Sequence, residues 1–141
     1  MTHQHTIHHS DSAMQEQMPE GAVLAFDFGK KRIGVAVGNN LLGVAQPLMT
    51  IDTEVAVQRF EAIAQLINTW QPVLLIVGLQ MRLSGRFNLK VILKDERYTS
   101  EIASSELRQA GIFGKKQKSM LDQWAAQQIL QSFFDERHAT A

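Results

Sequence analysis

The fold is decided by residues 22–37, which read AVLAFDFGKKRIGVAV. The apolar run before Asp27 predicts a strand buried on both faces, and Gly29 with the basic residues 30–32 predicts a tight turn into a second strand at residues 33–37. Such a hairpin holds a carboxylate on the sheet. The backbone of the turn and the basic side chains beside it could bind a phosphate group. Because burying an unpaired carboxylate is costly, Asp27 either caps the turn or needs a partner such as a metal ion.

Length and composition limit the kind of protein to which this hairpin can belong. The chain has 141 residues, of which 45% are hydrophobic, and this predicts one domain with a real core. The absence of cysteine excludes disulfides and thiolate metal sites. No apolar stretch approaches the roughly 20 residues of a membrane span. The N-terminus lacks the apolar core of a signal peptide, so a soluble cytoplasmic protein is expected.

The charge pattern bears on nucleic-acid binding. Formal net charge is zero, so no global positive field would steer nucleic acid to the protein. Binding would have to use local clusters, namely residues 30–32, Arg82 with Arg86, and Lys115, Lys116 and Lys118.

Residues 1–20 differ from the rest of the chain. They contain four of the five histidines, at His3, His5, His8 and His9, and almost no periodic apolar content. This composition predicts a disordered extension, with adventitious metal binding by the histidines as the alternative. A single folded domain is predicted for residues 21–138.

Hydrophobic periodicity predicts the order of elements in the domain. Strands at residues 23–28, 33–37 and Val44–Ile51 suggest an antiparallel meander, and Pro47 marks the third as an edge strand. A helix is predicted for residues 53–70, with Asp52 as its N-cap. Its apolar face is predicted to consist of Phe60, Ile63, Ala64 and Ile67.

The second half of the chain predicts an α/β architecture. The unbroken apolar run at residues 73–78 is typical of a central parallel strand covered on both faces. One more short strand, Val91–Leu93, precedes two helices at residues 100–110 and 119–135, with a basic loop at residues 111–118 between them. The prediction is a mixed sheet flanked by helices.

Acidic residues fall where strands end or a helix begins: Asp27, the pair Asp95 and Glu96, and Asp122. Asp122 shares a helix face with the apolar residues that should dock on the sheet, Ala125, Ala126, Ile129 and Phe133. It also fits a capping box with Ser119 as N-cap, so it has a structural interpretation. For Asp95 and Glu96, the structural alternative is a solvated pair or a salt bridge to Arg97.

Electrostatics restricts what converging acids could do. Two carboxylates about 4 Å apart repel by roughly 4 kcal/mol at an effective dielectric near 20, so a proton or a cation must compensate them. Oxygen ligands without Cys or His favour Mg²⁺ or Mn²⁺ over Zn²⁺. Phosphodiester hydrolysis is the natural chemistry of such a site.

Four motifs together resemble the YqgF/RuvX family. They are residues 27–36 (DFGKKRIGVA), 77–79 (VGL), 95–100 (DERYTS), and Asp122 in a helix with Ala125 and Ala126. The family consists of bacterial proteins with an RNase H-like fold, called Holliday junction resolvases and assigned to maturation of the precursor of small-subunit ribosomal RNA. The resemblance extends from about residue 21 to residue 136.

The resemblance implies a metal-dependent endonuclease. Its acidic triad would be Asp27, Glu96 and Asp122, which would bind Mg²⁺ or Mn²⁺. Asp95 would have a structural role. Lys31 and Arg32 would lie near the scissile strand, and Arg97 would contact a phosphate. The implied partner is structured RNA, such as pre-16S rRNA in ribosomal precursor particles, or branched DNA. A monomer or weak homodimer is expected.

One departure from the family pattern lies at residues 79–90. The family continues there with a long amphipathic helix, whereas only twelve residues separate Gly78 from Val91 here. We expect either a compressed crossover or a displaced strand Val91–Leu93. The loss should uncover the sheet beside Leu74 and Ile76, and it removes a segment that borders the family's active site.

Other readings compete with the nuclease. The hairpin also resembles the phosphate-binding hairpin of actin-like ATPases and sugar kinases, although those proteins need two such domains. A catalytically impaired nucleic-acid-binding module is the other rival, because of the missing crossover helix. Within the nuclease reading, 5′-end maturation of pre-16S rRNA and resolution of DNA junctions remain alternatives.

Overall fold

In the computed structural model, which describes residues 20–78, 91–93, 109–112 and 114–140, one mixed sheet organises the fold. In chain order the elements are β1 (Ala22–Phe28), β2 (Ile33–Asn39), β3 (Val44–Ile51), α1 (Ala56–Trp70), β4 (Leu74–Val77), β5 (Val91–Leu93) and α2 (Gly114–Thr140). The strand order is β3-β2-β1-β4-β5. Strands β1 to β3 are antiparallel, and β4 and β5 run parallel to β1. The predicted α/β class, meander and central strand are confirmed.

The β1–β2 hairpin closes as its sequence predicts. Gly29 N donates a hydrogen bond to Arg32 O at 2.8 Å, and a Cβ at Gly29 would crowd that same oxygen. The pairing continues to Ala22 opposite Asn39, so β2 extends two residues beyond its predicted end. The tight turn therefore places the basic residues 30–32 immediately before the start of β2.

Strand β3 is an edge strand, as Pro47 predicts. The register with β2 shifts between Val35, which pairs with Met49, and Ala36, which pairs with Pro47. Leu48 is thus the extra residue of a bulge. Proline lacks the N–H that a ladder needs, and a bulge at the sheet edge accommodates it.

The two faces of the sheet carry separate cores. The α1 face buries Phe26, Ile33 and Val35 against Ile63 and Leu66 of α1. The α2 face buries a second cluster, which comprises Val23, Ala25, Ala36, Ala45, Leu74, Ile76, Ala126, Ile129, Leu130, Phe133 and Phe134. Leu74 and Ile76 are only 2% and 0% exposed, so the expectation of an uncovered sheet there is wrong. Residues of α2 belong to the cluster that buries them.

Helix α1 differs from its prediction at the N-terminus and on one face. It begins at Ala56 with Val55 as N-cap and no side-chain cap, so the assignment of Asp52 as N-cap is wrong. Ala64 is exposed, and Leu66 is buried in its place. Phe60 and Ile67 pack at the margin of the cluster. The buried stripe is therefore centred on Ile63 and Leu66, so the buried face is rotated about the helix axis away from Ala64.

Helix α2 begins at Gly114, five residues before its predicted start. Ser119 is therefore inside the helix, and the capping box with Asp122 is wrong. The predicted loop lysines lie in the first turns of α2. Ala126, Ile129 and Phe133 are buried as predicted, whereas Ala125 is only half-buried.

A ladder of glutamines spaced four residues apart fastens α2 to β3. Gln123 Nε2 donates to Thr50 Oγ1 at 3.2 Å, and Gln127 Nε2 donates to Ala45 O at 3.0 Å. Gln131 accepts from Ala45 N at 3.0 Å and donates to Gly43 O at 2.9 Å. These bonds align the helix along the edge strand.

Strand β5 keeps its place beside β4, with Leu75 opposite Val91 and Val77 opposite Leu93. The alternative of a displaced strand is therefore wrong. The connecting residues 79–90, the N-terminal residues 1–19 and most of the helix predicted at residues 100–110 lie outside the described residues. In the described part of the chain, none of the helices combines the length and apolarity that a bilayer crossing requires.

Candidate active site

Asp27 lies near the C-terminal end of β1, on the α2 face, and is half-buried. Its position follows from alternation along the strand, because Val23 and Ala25 bury their side chains on that face. Asp27 pairs with Gly34 in β2, and the register of β1 with β4 brings it beside Gly78. Asp27 thus has one glycine opposite it in β2 and another directly after the end of β4.

Both of these glycines are sites of close approach by α2. A Cβ at Gly34 would collide with the backbone of Asp122, and a Cβ at Gly78 would collide with the side chain of Ile129. Opposed residues of an antiparallel pair project on the same face, so Asp27 points to the side of Gly34 on which Asp122 lies. Asp27 and the backbone of Asp122 therefore lie on the same side of Gly34.

Arg32 completes this group from the start of β2. Its Nε donates to Asp122 Oδ2 at 2.6 Å, and the two side chains are 23% and 22% exposed. A hydrogen bond between two charged groups at this length is at the strong end of protein hydrogen bonds. Arg32 therefore contacts an acidic residue of the candidate site directly.

The turn that presents Arg32 is anchored by Arg59 of α1. Arg59 Nη2 donates to Gly29 O at 2.9 Å and to Lys30 O at 2.8 Å, and its Nε donates to Thr53 O at 2.6 Å. Sequence reasoning missed this residue. Its partners are backbone carbonyls, which any residue supplies, so no motif marks the contact.

A hydroxyl network fixes α2 one turn before Asp122. Thr50 Oγ1 donates to Ser119 O at 2.9 Å and accepts from Ser119 Oγ at 2.9 Å. Gln123 Nε2 also donates a hydrogen bond to Thr50 Oγ1. Thr50 pairs with Gly34, so the network adjoins the carboxylates. A Ser at residue 119 was noticed in the sequence, but its partner on β3 was not.

The predicted nucleic-acid contacts are distributed over two elements. Lys31 is exposed in the hairpin turn, and Lys116 and Lys118 are exposed in the first turns of α2. Lys115 is also exposed, and its Nζ lies 3.2 Å from Asp52 Oδ2. An ion pair this exposed contributes little to stability, so Lys115 can change partners at small cost.

Asp95, Glu96 and Arg97 lie outside the described residues. In the sequence, Glu96 follows the end of β5 by three positions. Among the residues that the structure describes, no group of three His, Cys, Asp or Glu forms a metal cluster. Asp27 and Asp122 nevertheless supply oxygen ligands of the kind that Mg²⁺ uses, with one or two carboxylates completed by substrate phosphates.

The fold is RNase H-like, an architecture that it shares with a resolvase of known structure. The fowlpox virus resolvase, solved with its substrate Holliday junction DNA, superposes with a TM-score of 0.50 at 13% identity. The similarity covers 82% of this chain and 97% of the viral chain, and at this identity it shows the fold alone. A family model described as RuvX, Holliday junction resolvase, matches residues 21–86 and 79–136. The chain belongs to the RuvX family.

Curated relatives match most of the chain. A protein of Nitrosomonas eutropha is 51% identical over 148 residues, covering 92% of this chain and 94% of the relative. A protein of Methylobacillus flagellatus is 56% identical over 133 residues, covering 82% and 91%. Each of the two is named "Putative pre-16S rRNA nuclease".

The comparisons also bear on the short crossover. The alignment with the Nitrosomonas protein spans 148 positions, which exceeds the 141 residues of this chain. That relative therefore has residues without a counterpart here. The two segments matched by the family model overlap at residues 79–86, within the connection that the sequence indicates is shortened.

Proposed function

We propose that the chain is a metal-dependent endonuclease that hydrolyses phosphodiester bonds in structured precursor 16S rRNA, at the step of 5′-end maturation. The observation that supports this best is that Asp27 and the backbone of Asp122 lie on the same side of Gly34, on a fold shared with a resolvase. The names of the curated relatives favour the RNA substrate. The work would take place in the cytoplasm, on ribosomal precursor particles.

The proposed roles follow from the chemistry of each residue. Asp27, Asp122 and Glu96 would hold Mg²⁺ or Mn²⁺, and the bound ion would supply Lewis-acid activation of the phosphodiester. Asp27 is placed by the sheet, and the backbone of Asp122 by the packing of α2 on Gly34, so the backbone positions of both acidic residues are fixed. A rigid pair of this kind orients the reacting group without reorganisation during the reaction.

The substrate backbone would be held by cations on both sides of the carboxylates. Lys31 and Arg32 approach from the hairpin, and Lys116 and Lys118 extend from the start of α2, where no acid occupies the first turn. Arg97 is the proposed further phosphate contact. Since formal net charge is zero, this local group of cations would provide the attraction.

Branched DNA is the second candidate substrate. The description of the matching family favours it. A chain that binds nucleic acid without cutting it is the third candidate, favoured by the short connection at residues 79–90. For the free protein we propose a monomer or weak homodimer.

A cleavage assay tests the proposal. The purified chain and its Asp27→Asn variant are compared on a pre-16S rRNA fragment and on a four-way DNA junction, with Mn²⁺ or with EDTA. Asp135→Asn is the matched control, because it makes the same change at an exposed position of α2. We expect the chain and the control to cut the RNA with Mn²⁺, and Asp27→Asn to be inactive.

Each contrary result has a distinct meaning. Preferential cutting of the junction would transfer the proposal to DNA. Binding without cutting, by a chain whose circular dichroism shows a folded state, would leave a nucleic-acid-binding module. Cutting that survives EDTA or Asp27→Asn would reject the metal-dependent site.

A further inference from the structure

The Arg32–Asp122 pair engages a carboxylate that the proposed function requires for a metal ion. Asp122 Oδ2 accepts from Arg32 Nε at 2.6 Å. A guanidinium at this distance neutralises the carboxylate and repels a second cation. Without this partner, Asp122 would be a partly buried carboxylate with no compensating charge, which is costly.

We propose that Arg32 exchanges partners: its guanidinium neutralises Asp122 in the free protein and moves to a backbone phosphate of the nucleic acid when a divalent cation binds Asp122. This proposal rests on the proposed function, since it concerns the same metal-binding carboxylate. It adds an order of events to that site. Arg32 is then a group that competes with the metal before it assists the substrate.

The pair is not required to hold α2 in place. The backbone of Asp122 already packs on Gly34, and the Thr50–Ser119–Gln123 network fixes the preceding turn. These contacts would remain if the ion pair opened. Partner exchange therefore does not require the helix to move.

The chemistry of the guanidinium suits both partners. Its planar array of N–H donors matches carboxylate and phosphate alike. The bond to Asp122 uses Nε, and among the residues that the structure describes this guanidinium has no other partner, so its Nη groups can take a second contact. Arg59 holds the backbone of the turn at Gly29 and Lys30, so the exchange needs movement of a side chain and no rearrangement of the hairpin.

Exchange predicts a thermodynamic coupling between metal and nucleic acid. A cation that displaces Arg32 frees it for phosphate, so each ligand raises the affinity for the other by the same factor. Without Arg32, the metal no longer competes for Asp122. Metal affinity should therefore rise while affinity for RNA falls.

The first experiment measures Mn²⁺ binding to the full chain by electron paramagnetic resonance, comparing Arg32→Gln with Lys30→Gln. Both variants remove one positive charge from the same turn, and the side chain of Lys30 is exposed. We expect Arg32→Gln to tighten Mn²⁺ binding roughly 10-fold beyond Lys30→Gln, within the usual range of coupling energies. Equal tightening in the two variants would reduce the effect to net charge and overturn the exchange.

The second experiment measures the affinity for a pre-16S rRNA hairpin with Ca²⁺ or with EDTA, after a gel shows that the RNA is intact. We expect Ca²⁺ to raise the affinity of the unmodified chain several-fold, and Arg32→Gln to lose most of this gain. An equal gain in the variant would overturn the exchange. Arg32→Lys, which keeps the charge without the planar fork, replaces Arg32→Gln if circular dichroism shows that the latter unfolds.

The outcomes separate the two proposals. Mn²⁺ binding that Asp27→Asn does not weaken would reject the metal site, and with it both proposals. Mn²⁺ binding that Asp27→Asn weakens, combined with equal effects of Arg32→Gln and Lys30→Gln, would reject the exchange alone and leave the proposed nuclease in place.

Discussion

The two faces of the sheet are built from side chains of different size. On the α1 face, β1 and β2 present Phe26, Ile33 and Val35, which keep the helix backbone away from the strands. On the α2 face, the corresponding strands present alanines and Gly34, and the helix backbone touches the sheet at Asp122. Large side chains make a thick apolar layer, whereas small ones allow backbone contact.

This difference accounts for where the candidate chemistry lies. A carboxylate on the α1 face would be enclosed by bulky apolar groups and would lose its hydration without gaining a partner. On the α2 face, the close approach at Gly34 places the backbone of Asp122 on the same side of the sheet as Asp27, and Arg32 of the hairpin binds the Asp122 carboxylate. One face provides the thicker core, and the other sets the spacing of charged groups.

Gly34→Ala should have the largest effect. The added methyl meets the backbone of Asp122, so α2 must shift, and we expect a loss of several kcal/mol in stability with no cleavage. Gly78→Ala is the matched control, because its methyl meets the side-chain tip of Ile129, which can rotate. Urea denaturation and a cleavage assay test both. Equal losses of stability and activity in the two variants would show that the backbone contact at Gly34 is no more important than the side-chain contact at Gly78.

Asp27→Asn and Asp122→Asn should abolish cleavage and leave folding nearly intact. Relief of carboxylate repulsion offsets the hydrogen bonding that each change weakens, and both side chains are half-buried and so reached by water. Thermal denaturation beside the cleavage assay measures the two effects. If a variant unfolds, that aspartate has a structural role. The α2 face would then not differ from the α1 face in carrying a catalytic residue at that position.

Ile63→Ala tests the opposite face. Removing this fully buried side chain of α1 should cost about 2–5 kcal/mol in stability. The cleavage rate of the folded fraction should stay the same, because α1 packs away from Asp27. Val57→Ala, at an exposed position of the same helix, should change stability by less than about 0.5 kcal/mol. A reduced rate per folded molecule in Ile63→Ala would mean that the faces are not independent.

Replacing Lys115, Lys116 and Lys118 with Gln should give the smallest effect, on affinity alone. Each phosphate contact contributes roughly 0.7 to 0.9 to the slope of log affinity against log salt. Fluorescence anisotropy over a salt series measures that slope. Lys115→Gln alone should act more weakly than Lys116→Gln, since Asp52 already faces Lys115. An unchanged slope in the triple variant would remove the start of α2 from the substrate surface.

The sequence predicted features that depend on local pattern. The β1–β2 hairpin follows from a continuous apolar run and a glycine turn, and the edge position of β3 follows from Pro47. Both signals act over a few residues, and the structure agrees with them.

The predictions from sequence were wrong where tertiary contacts determine the structure and the local sequence pattern does not. Ser119 and Asp122 have the spacing of a capping box, but their side chains bond to Thr50 and Arg32 instead. The sheet beside Leu74 was expected to lack a cover because a crossover helix is missing, yet α2 packs there. The convergence of Asp27, the Asp95–Glu96 pair and Asp122 stays a prediction, while no sequence motif marks Arg59, because it binds backbone carbonyls.

The glutamine ladder has a consequence for self-association. An edge strand normally offers open N–H and C=O groups to the edge of another chain. Along β3 the N–H and C=O of Ala45 are already bonded to Gln131 and Gln127 of the protein's own helix. Exposed apolar side chains lie close by, at Leu41, Leu42 and Val44. The side-chain amides of Gln127 and Gln131 therefore block the pairing of β3 with a strand of another molecule. The exposed apolar residues nearby would otherwise favour such aggregation.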